Sequence, residues 1–333
     1  MATSMVERTP VTVLTGFLGA GKTTLLNAIL RAPGMENTAV LVNEFGEIGL
    51  DHLMVEKLTD DMALLPSGCL CCAVGGDLVR ALRDLLPRIE AGQVRRVMVE
   101  TTGLADPAPV VQSLLGDLQV ALRFQLDGIV TVVDAVHAMG QLDQHEEARR
   151  QLAMADRIVL SKTDLADDIS ALRARIGAIN PGARLLVAVR GAVDPALLLD
   201  CGLFDLTGKP AEIAAWINEA AFAGDTPRHD PSIHSFCLTY SEPLHWQGIG
   251  TCLEMLIGTR GESLLRVKGI LNLVGQDRPV AIHGIQHLFH EPTLLPAWPE
   301  GDPRTSRIVF ITKDLSRETV AHGLEAFEAA ARG

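Results

Sequence analysis

The run Thr15-Gly16-Phe17-Leu18-Gly19-Ala20-Gly21-Lys22-Thr23-Thr24 narrows the choice of fold more than any other feature of the chain. It fits G-x-x-x-x-G-K-[ST], and its flanks fit too. Val11 to Leu14 predict a short buried strand, and Thr23 to Leu30 a helix with Leu25, Leu26 and Ile29 facing a core. Glycines let the backbone wrap close to phosphate oxygens without a Cβ in the way. The N–H groups from Gly16 through Gly19, Ala20, Gly21, Lys22, Thr23 and Thr24 then point inward at a helix N-terminus, where the dipole favours anions. Lys22 supplies a charge to β- and γ-phosphates, and the Thr23 hydroxyl is a ligand for Mg²⁺. A turn that merely joins strand to helix needs neither group. ATPases, GTPases and small-molecule kinases all share the pattern, so the rest of the chain must choose.

At 333 residues the chain is too long for one typical core, and two domains are expected. Its net charge of −12, with no basic cluster beyond pairs such as Arg95-Arg96, argues against nucleic acid or an anionic membrane as the main partner. No apolar run reaches the ~18 residues that span a bilayer. The polar start MATSMVERTP carries no secretory pattern, so a cytoplasmic location is expected. In a reducing compartment cysteines serve as ligands, nucleophiles or core residues rather than disulfides.

Short apolar strands are predicted at Thr38–Val42, Met62–Leu65, Val97–Val99, Gly128–Val133, Arg157–Leu160 and Leu185–Val189. Helical spacing between them marks Asp77–Glu90, Pro107–Leu115, Gln144–Met154 and Ile169–Ile179. The alternation means βα units: an α/β P-loop NTPase fold with a mostly parallel sheet covered by helices on both faces. Ligands of such sheets bind beyond the carboxyl ends of the strands, where every polar motif of this chain falls. Residues 1–204 are assigned to this domain and 205–232 to a linker containing Gly224-Asp225-Thr226-Pro227. Residues 233–333 are assigned to a smaller α+β domain. Its strands are expected at Ile233–Tyr240, Leu264–Leu273, Val280–His290 and Arg307–Ile311, and its helices at Leu244–Ile257 and Ser316–Ala330.

Ser161-Lys162-Thr163-Asp164 is close to the N-K-x-D element that reads guanine. Asp164 accepts from guanine N1 and N2, a pair adenine cannot offer, while Lys162 lies along the base and braces the phosphate loop. Asp164 also suits a helix cap after a strand. Ser161 replaces asparagine, which predicts the loss of some bracing hydrogen bonds. Glu100-Thr101-Thr102-Gly103 stands where an acidic strand end holds a metal-bound water and a glycine amide meets the γ-phosphate. No glutamine follows Gly103 to orient the attacking water, so slow hydrolysis is expected. Gly68-Cys69-Leu70-Cys71-Cys72 offers three thiolates, which select Zn²⁺ or Cu⁺ over Mg²⁺. Tetrahedral zinc needs a fourth ligand, a carboxylate, a water or a client's own group, and Glu47 and Glu44 are the carboxylate candidates.

In order, TGFLGAGKTT, NEFGEIGLD, GCLCC, ETTGLADP, VDAVH and SKTD resemble the CobW-type GTPases, relatives of the urease and hydrogenase nickel-insertion GTPases. The segment Arg266-Val267-Lys268-Gly269-Ile270-Leu271 and the Trp298 region resemble that family's C-terminal domain. The resemblance implies a metallochaperone that binds GTP and Mg²⁺, hydrolyses GTP slowly to GDP, and delivers zinc or cobalt to a client metalloprotein. It implies Cys69, Cys71 and Cys72 as metal ligands, Glu47 in a metal-responsive switch and Asp164 as the guanine reader. Some relatives have a glutamate immediately before the position of Asn43, where this chain has Val42, so a secondary metal site of that kind would lack a ligand here. A non-enzymatic metal sensor or buffer with GTP as allosteric ligand is the alternative, and oligomeric state stays open. His283, His287 and His290 are expected on one strand, with His283 and His287 on one side and His290 on the other. They are read as surface or half-buried residues. Cys201, Cys237 and Cys252 are read as core packing. Asp134 and His137 have no assigned role.

Overall fold

The computed structural model describes residues 8–43, 62–65, 73–189, 191–199 and 232–332. By contacts the chain divides into two units, residues 1–172 with 183–202 and residues 173–182 with 203–333. Each has its own sheet and core.

The first sheet contains β1 (Thr9–Gly16), β2 (Thr38–Asn43), β3 (Met62–Leu65), β4 (Arg96–Glu100), β5 (Phe124–Asp134), β6 (Arg157–Ser161) and β7 (Arg184–Val187). Their order is β3-β2-β4-β1-β5-β6-β7, parallel at every pairing. Parallel strands need long crossovers, and helices fill them. These are α1 (Lys22–Leu30), α2 (Ala73–Glu90), α3 (Ala108–Gly116), α4 (Leu118–Arg123), α5 (Ala138–Gln144), α6 (Glu146–Met154) and α7 (Ser170–Ile179), with α8 (Pro195–Leu198) after β7. Leu25, Leu26 and Ile29 of α1 pack with Leu14, Val40, Met98, Val132 and Val159, one residue from each of five strands. That is the stripe the 3.6-residue period foretells. Neither α4 nor α5 is foreshadowed, because six or seven residues are too few to display such a stripe.

Between β1 and β5 the register slips: Val11 faces Leu126, but Thr12 faces Gly128. The extra residue, Asp127, is buried and accepts hydrogen bonds from Thr12 Oγ1 at 2.7 Å and the Arg96 guanidinium at 2.9 Å. A bulge that carries its own ion pair is a built feature of the strand.

In the second unit β8 (Ile233–Tyr240), β9 (Leu264–Leu273), β10 (Gln276–Ile285), β11 (Leu288–Phe289) and β13 (Ser306–Lys313) form an antiparallel sheet in the order β11-β10-β9-β13-β8. β12 (Thr293–Leu294) pairs with β10. Its core brings Ile249, Cys252 and Leu253 of α9 (Trp246–Arg260) and Val320 and Leu324 of α10 (Arg317–Arg332) together with Phe236, Val267, Leu271 and Phe310. Cys252 belongs to that core as expected, and burial pushes its thiol up to about 11. Cys237 is half-buried. Cys201 and residues 205–231 of the expected linker lie outside the described residues.

The single strand expected over Val280–His290 is corrected. β10 ends at Ile285, the chain reverses at Gln286 with φ 51°, and β11 pairs back onto Gly284 and Ile285. His283 and His290, expected on opposite sides, therefore stack with ring centroids 5.0 Å apart. His287 sits apart, its Nδ1 3.2 Å from the Ile257 carbonyl oxygen. Glutamine in a left-handed turn position gives no sequence cue of the kind glycine or asparagine gives.

Candidate functional site

The phosphate loop leaves the C-terminal end of β1 at the middle of the sheet. Gly16 has φ 142°, and a Cβ there would lie 2.3 Å from the Val132 carbonyl oxygen, so only glycine fits. Gly21, left-handed at φ 93°, caps α1, whose N-terminus carries no side-chain cap and no acidic residue in its first turn. Such a helix end presents N–H groups to an anion. Lys22 Nζ donates to the carbonyl oxygens of Gly16 at 2.9 Å and Phe17 at 3.3 Å, which holds the ammonium over the loop. Gly19, Ala20, Thr23 and Thr24 occupy the same loop and first turn.

From β4, Glu100 reaches the loop. It is buried, and its Oε1 accepts from the Thr23 hydroxyl at 2.9 Å. An all-oxygen pair of hydroxyl and carboxylate is a donor set that suits Mg²⁺. Beyond it, Thr101 N donates to the Leu14 carbonyl oxygen at 2.9 Å, and the Thr101 hydroxyl to Thr15 Oγ1 at 2.8 Å. Gly103 then passes so close to the phosphate loop that a Cβ would meet Leu18 N at 2.6 Å.

Strand β6 supplies a second brace. Ser161 Oγ lies 2.6 Å from the Ala20 carbonyl oxygen and 3.2 Å from that of Val133, so its one proton serves chiefly the phosphate loop. The expected loss of bracing is thus offset in part: serine keeps a bond to the loop where asparagine would stand. Lys162 adopts φ 55° and donates to the Gly19 carbonyl oxygen and to Asp134 Oδ2, each at 2.7 Å. Asp164 is exposed on the short 3-10 turn Thr163–Leu165, with its carboxylate open to solvent.

Asp134 is the residue the sequence left without a role. It ends β5, is buried, and accepts from Lys162 Nζ, from the Val136 amide at 2.8 Å and from His137 Nδ1 at 3.0 Å. Burial would raise its pKa, but the hydrogen bonds from Lys162, His137 and Val136 outweigh it and hold the carboxyl below the usual range. The signal was there: an aspartate at a strand end, one strand over from a lysine expected to brace the loop.

Cys69, Cys71, Cys72, Glu47 and Glu44 lie outside the described residues. Their strands are described: β2 ends at Asn43, ahead of the Glu44–Glu47 segment, and β3 ends at Leu65, ahead of the cysteines. Among the described residues no three His, Cys, Asp or Glu side chains gather as a metal site.

Comparison with known proteins agrees with this architecture in both units. Residues 10–187 match the CobW/HypB/UreG nucleotide-binding domain, and residues 233–328 the cobalamin synthesis protein cobW C-terminal domain. The zinc chaperone YjiA of Escherichia coli is 34% identical over 93% of this chain and 96% of its own length. The zinc chaperone CobW of Pseudomonas aeruginosa is 30% identical over 96% of this chain and 91% of its own. A crystal structure of Zn(II)-bound YjiA GTPase from E. coli superposes with a TM-score of 0.72 at 30% identity, covering 96% of this chain and 99% of that one. A phosphate loop braced by β6 and β5, the parallel sheet beneath it and two family matches in the same order lead to one assignment: the chain belongs to the CobW/HypB/UreG family.

Proposed function

We propose that this protein is a GTPase metallochaperone that takes up zinc through Cys69, Cys71 and Cys72, with Glu47 or Glu44 completing the site. GTP hydrolysis is coupled to handing the metal to a client metalloprotein. One observation carries the reading. Across the row of strand ends, β6, β5, β1 and β4 bear the guanine, brace, phosphate and magnesium residues, and β2 and β3, which lead into the Glu47 and cysteine segments, come next in line. Zinc in the names of relatives covering more than nine-tenths of the chain supports zinc over cobalt.

In this mechanism Asp164 selects guanine, and Lys162 holds the base end against the phosphate loop. Lys22 neutralises charge on the β- and γ-phosphates while α1 presents its N–H groups to them. Thr23 and Glu100 would hold Mg²⁺, which would supply positive charge against the charge developing on the phosphates. The Gly103 amide meets the γ-phosphate, and departure of that phosphate frees the segments behind β4 and β2. Leu104 follows Gly103 where a water-orienting glutamine would serve, and a slow intrinsic rate follows.

Replacing Cys69, Cys71 and Cys72 by serine is expected to abolish tight Zn²⁺ binding in competition with a chromophoric chelator and to leave GTP binding intact. Unchanged zinc affinity would remove the site assignment. Multiple-turnover phosphate release that survives in wild type and is lost in Lys22→Ala excludes a merely allosteric role for GTP.

A further inference from the structure

Gln151, on α6, is 1% exposed. Its Nε2 donates to the carbonyl oxygens of Gly103 at 3.2 Å and Ala105 at 3.0 Å. Two carbonyl acceptors require a donor, so the chemistry fixes which way the amide faces. The Gln151 backbone carbonyl oxygen in turn accepts from the buried Thr131 hydroxyl of β5 at 2.8 Å, which anchors that turn of α6 to the sheet. The neighbouring turns of α6 grip the same region. Arg150 pairs with Asp106 at 2.7 Å, and Asp106 Oδ1 accepts from the Ala108 amide at the start of α3. His145, which caps α6, lies with its ring 4.6 Å from that of Phe17 in the phosphate loop. Gln151 Oε1 is buried with no hydrogen-bond partner among the described residues. Beside it opens a cavity of about 20 Å³ lined by Phe17, Thr131, Gln141 and Gln151, room for one water-sized molecule.

A buried amide that spends both donors on the carbonyls of one loop exceeds what packing needs, since an aliphatic side chain of equal size would fill the space. Its effect is to fix the height of Gly103 above Leu18, a gap that leaves no space for a Cβ. We infer that Gln151 is a positioning residue for GTP hydrolysis, setting the Gly103–Ala105 turn so that the Gly103 amide meets the γ-phosphate. It touches no nucleotide itself. The inference rests on the reading of Gly103 given above and deepens it. GDP reaches only the phosphate loop and the base-reading turn. Loss of Gln151 is therefore felt with the triphosphate and not with the diphosphate.

The test is Gln151→Met, which keeps length and volume and deletes both donors, with Gln151→Asn, polar but too short to reach both carbonyls, as the second variant. Each is assayed in the full-length protein for phosphate release and for affinity toward GDP and a non-hydrolysable GTP analogue. The expected result is a fall of about tenfold in kcat and in the preference for analogue over GDP, the equivalent of ~1.4 kcal/mol, with GDP affinity within about twofold of wild type. A merely structural role would weaken both nucleotides alike. A folded variant of either kind with unchanged kcat and unchanged analogue preference overturns the inference, as does equal loss of both nucleotides. Lys22→Ala is measured alongside. If it is inactive while Gln151→Met is normal, only this inference falls. If it still hydrolyses GTP, the reading of the phosphate site itself fails.

Discussion

Ser161 holds the phosphate loop from outside it, and Asp134 does so at one remove by fixing the Lys162 ammonium that bonds Gly19. Removing the Ser161 hydroxyl leaves the Ala20 carbonyl oxygen without its donor. Ser161→Ala is expected to cost ~1 kcal/mol in urea denaturation and to weaken GDP binding. Asp134→Asn keeps the shape but loses the charge opposite Lys162. Because the folded carboxyl titrates below its unfolded value of ~3.9, its stabilisation is present above that pH and lost as pH falls through the folded pKa. The stability gap between wild type and Asp134→Asn should therefore be steady near neutrality and close in strong acid, as denaturation over a pH series reads out. That Lys22, Thr23, Glu100 and Lys162 gather around one loop was legible, because each stands at or just beyond the end of a parallel strand. Ser161's bond to Ala20 and Gln151's grip on Gly103 join residues 141 and 48 positions apart, and local spacing carries no trace of such pairs.

Elements of this fold meet at places where one atom decides the fit. Gly16 lets β1 turn away beside β5. A Cβ there meets a backbone carbonyl that cannot yield, so Gly16→Ala should cost more than ~2 kcal/mol in urea denaturation and abolish nucleotide binding. In the second unit α10 caps α9. Glu328 is buried and accepts from the His245 amide at 3.0 Å, from His245 Nδ1 at 2.7 Å and from Arg332 Nε at 3.3 Å, at a helix start with no cap of its own. Burial works against its charge, but His245 and Arg332 prevail and keep its pKa below the usual carboxylate range. Glu328→Ala should cost ~1–3 kcal/mol above pH ~4.3, a loss that shrinks in stronger acid, checked by denaturant midpoints at pH 7 and pH 3. Strands and long helices were legible from period alone. The β10–β11 reversal was not, because Gln286 takes a glycine-like conformation without being glycine.

Each of the two units has a core of its own. Calorimetry should show a transition raised by GDP, by ~2.7 kcal/mol at a hundredfold excess over Kd, and another that GDP leaves in place. Phe310→Ala, which empties part of the second core, should lower only the latter, by ~3–5 kcal/mol. A parallel sheet with its motifs at the strand tips was legible as a class, but its strand order was not, since apolar runs do not state their neighbours. That order has a consequence for information. With tips ~4.8 Å apart, β3 stands three places, or ~14 Å, from β1, and β4 and β2 intervene. Under the coupling proposed above, news of which base is bound has to travel along the file, passing β1 and β4 before it reaches β2 and β3. If that coupling holds, a guanine compound cut short of the terminal phosphate would engage one end of the row and go unheard at the other.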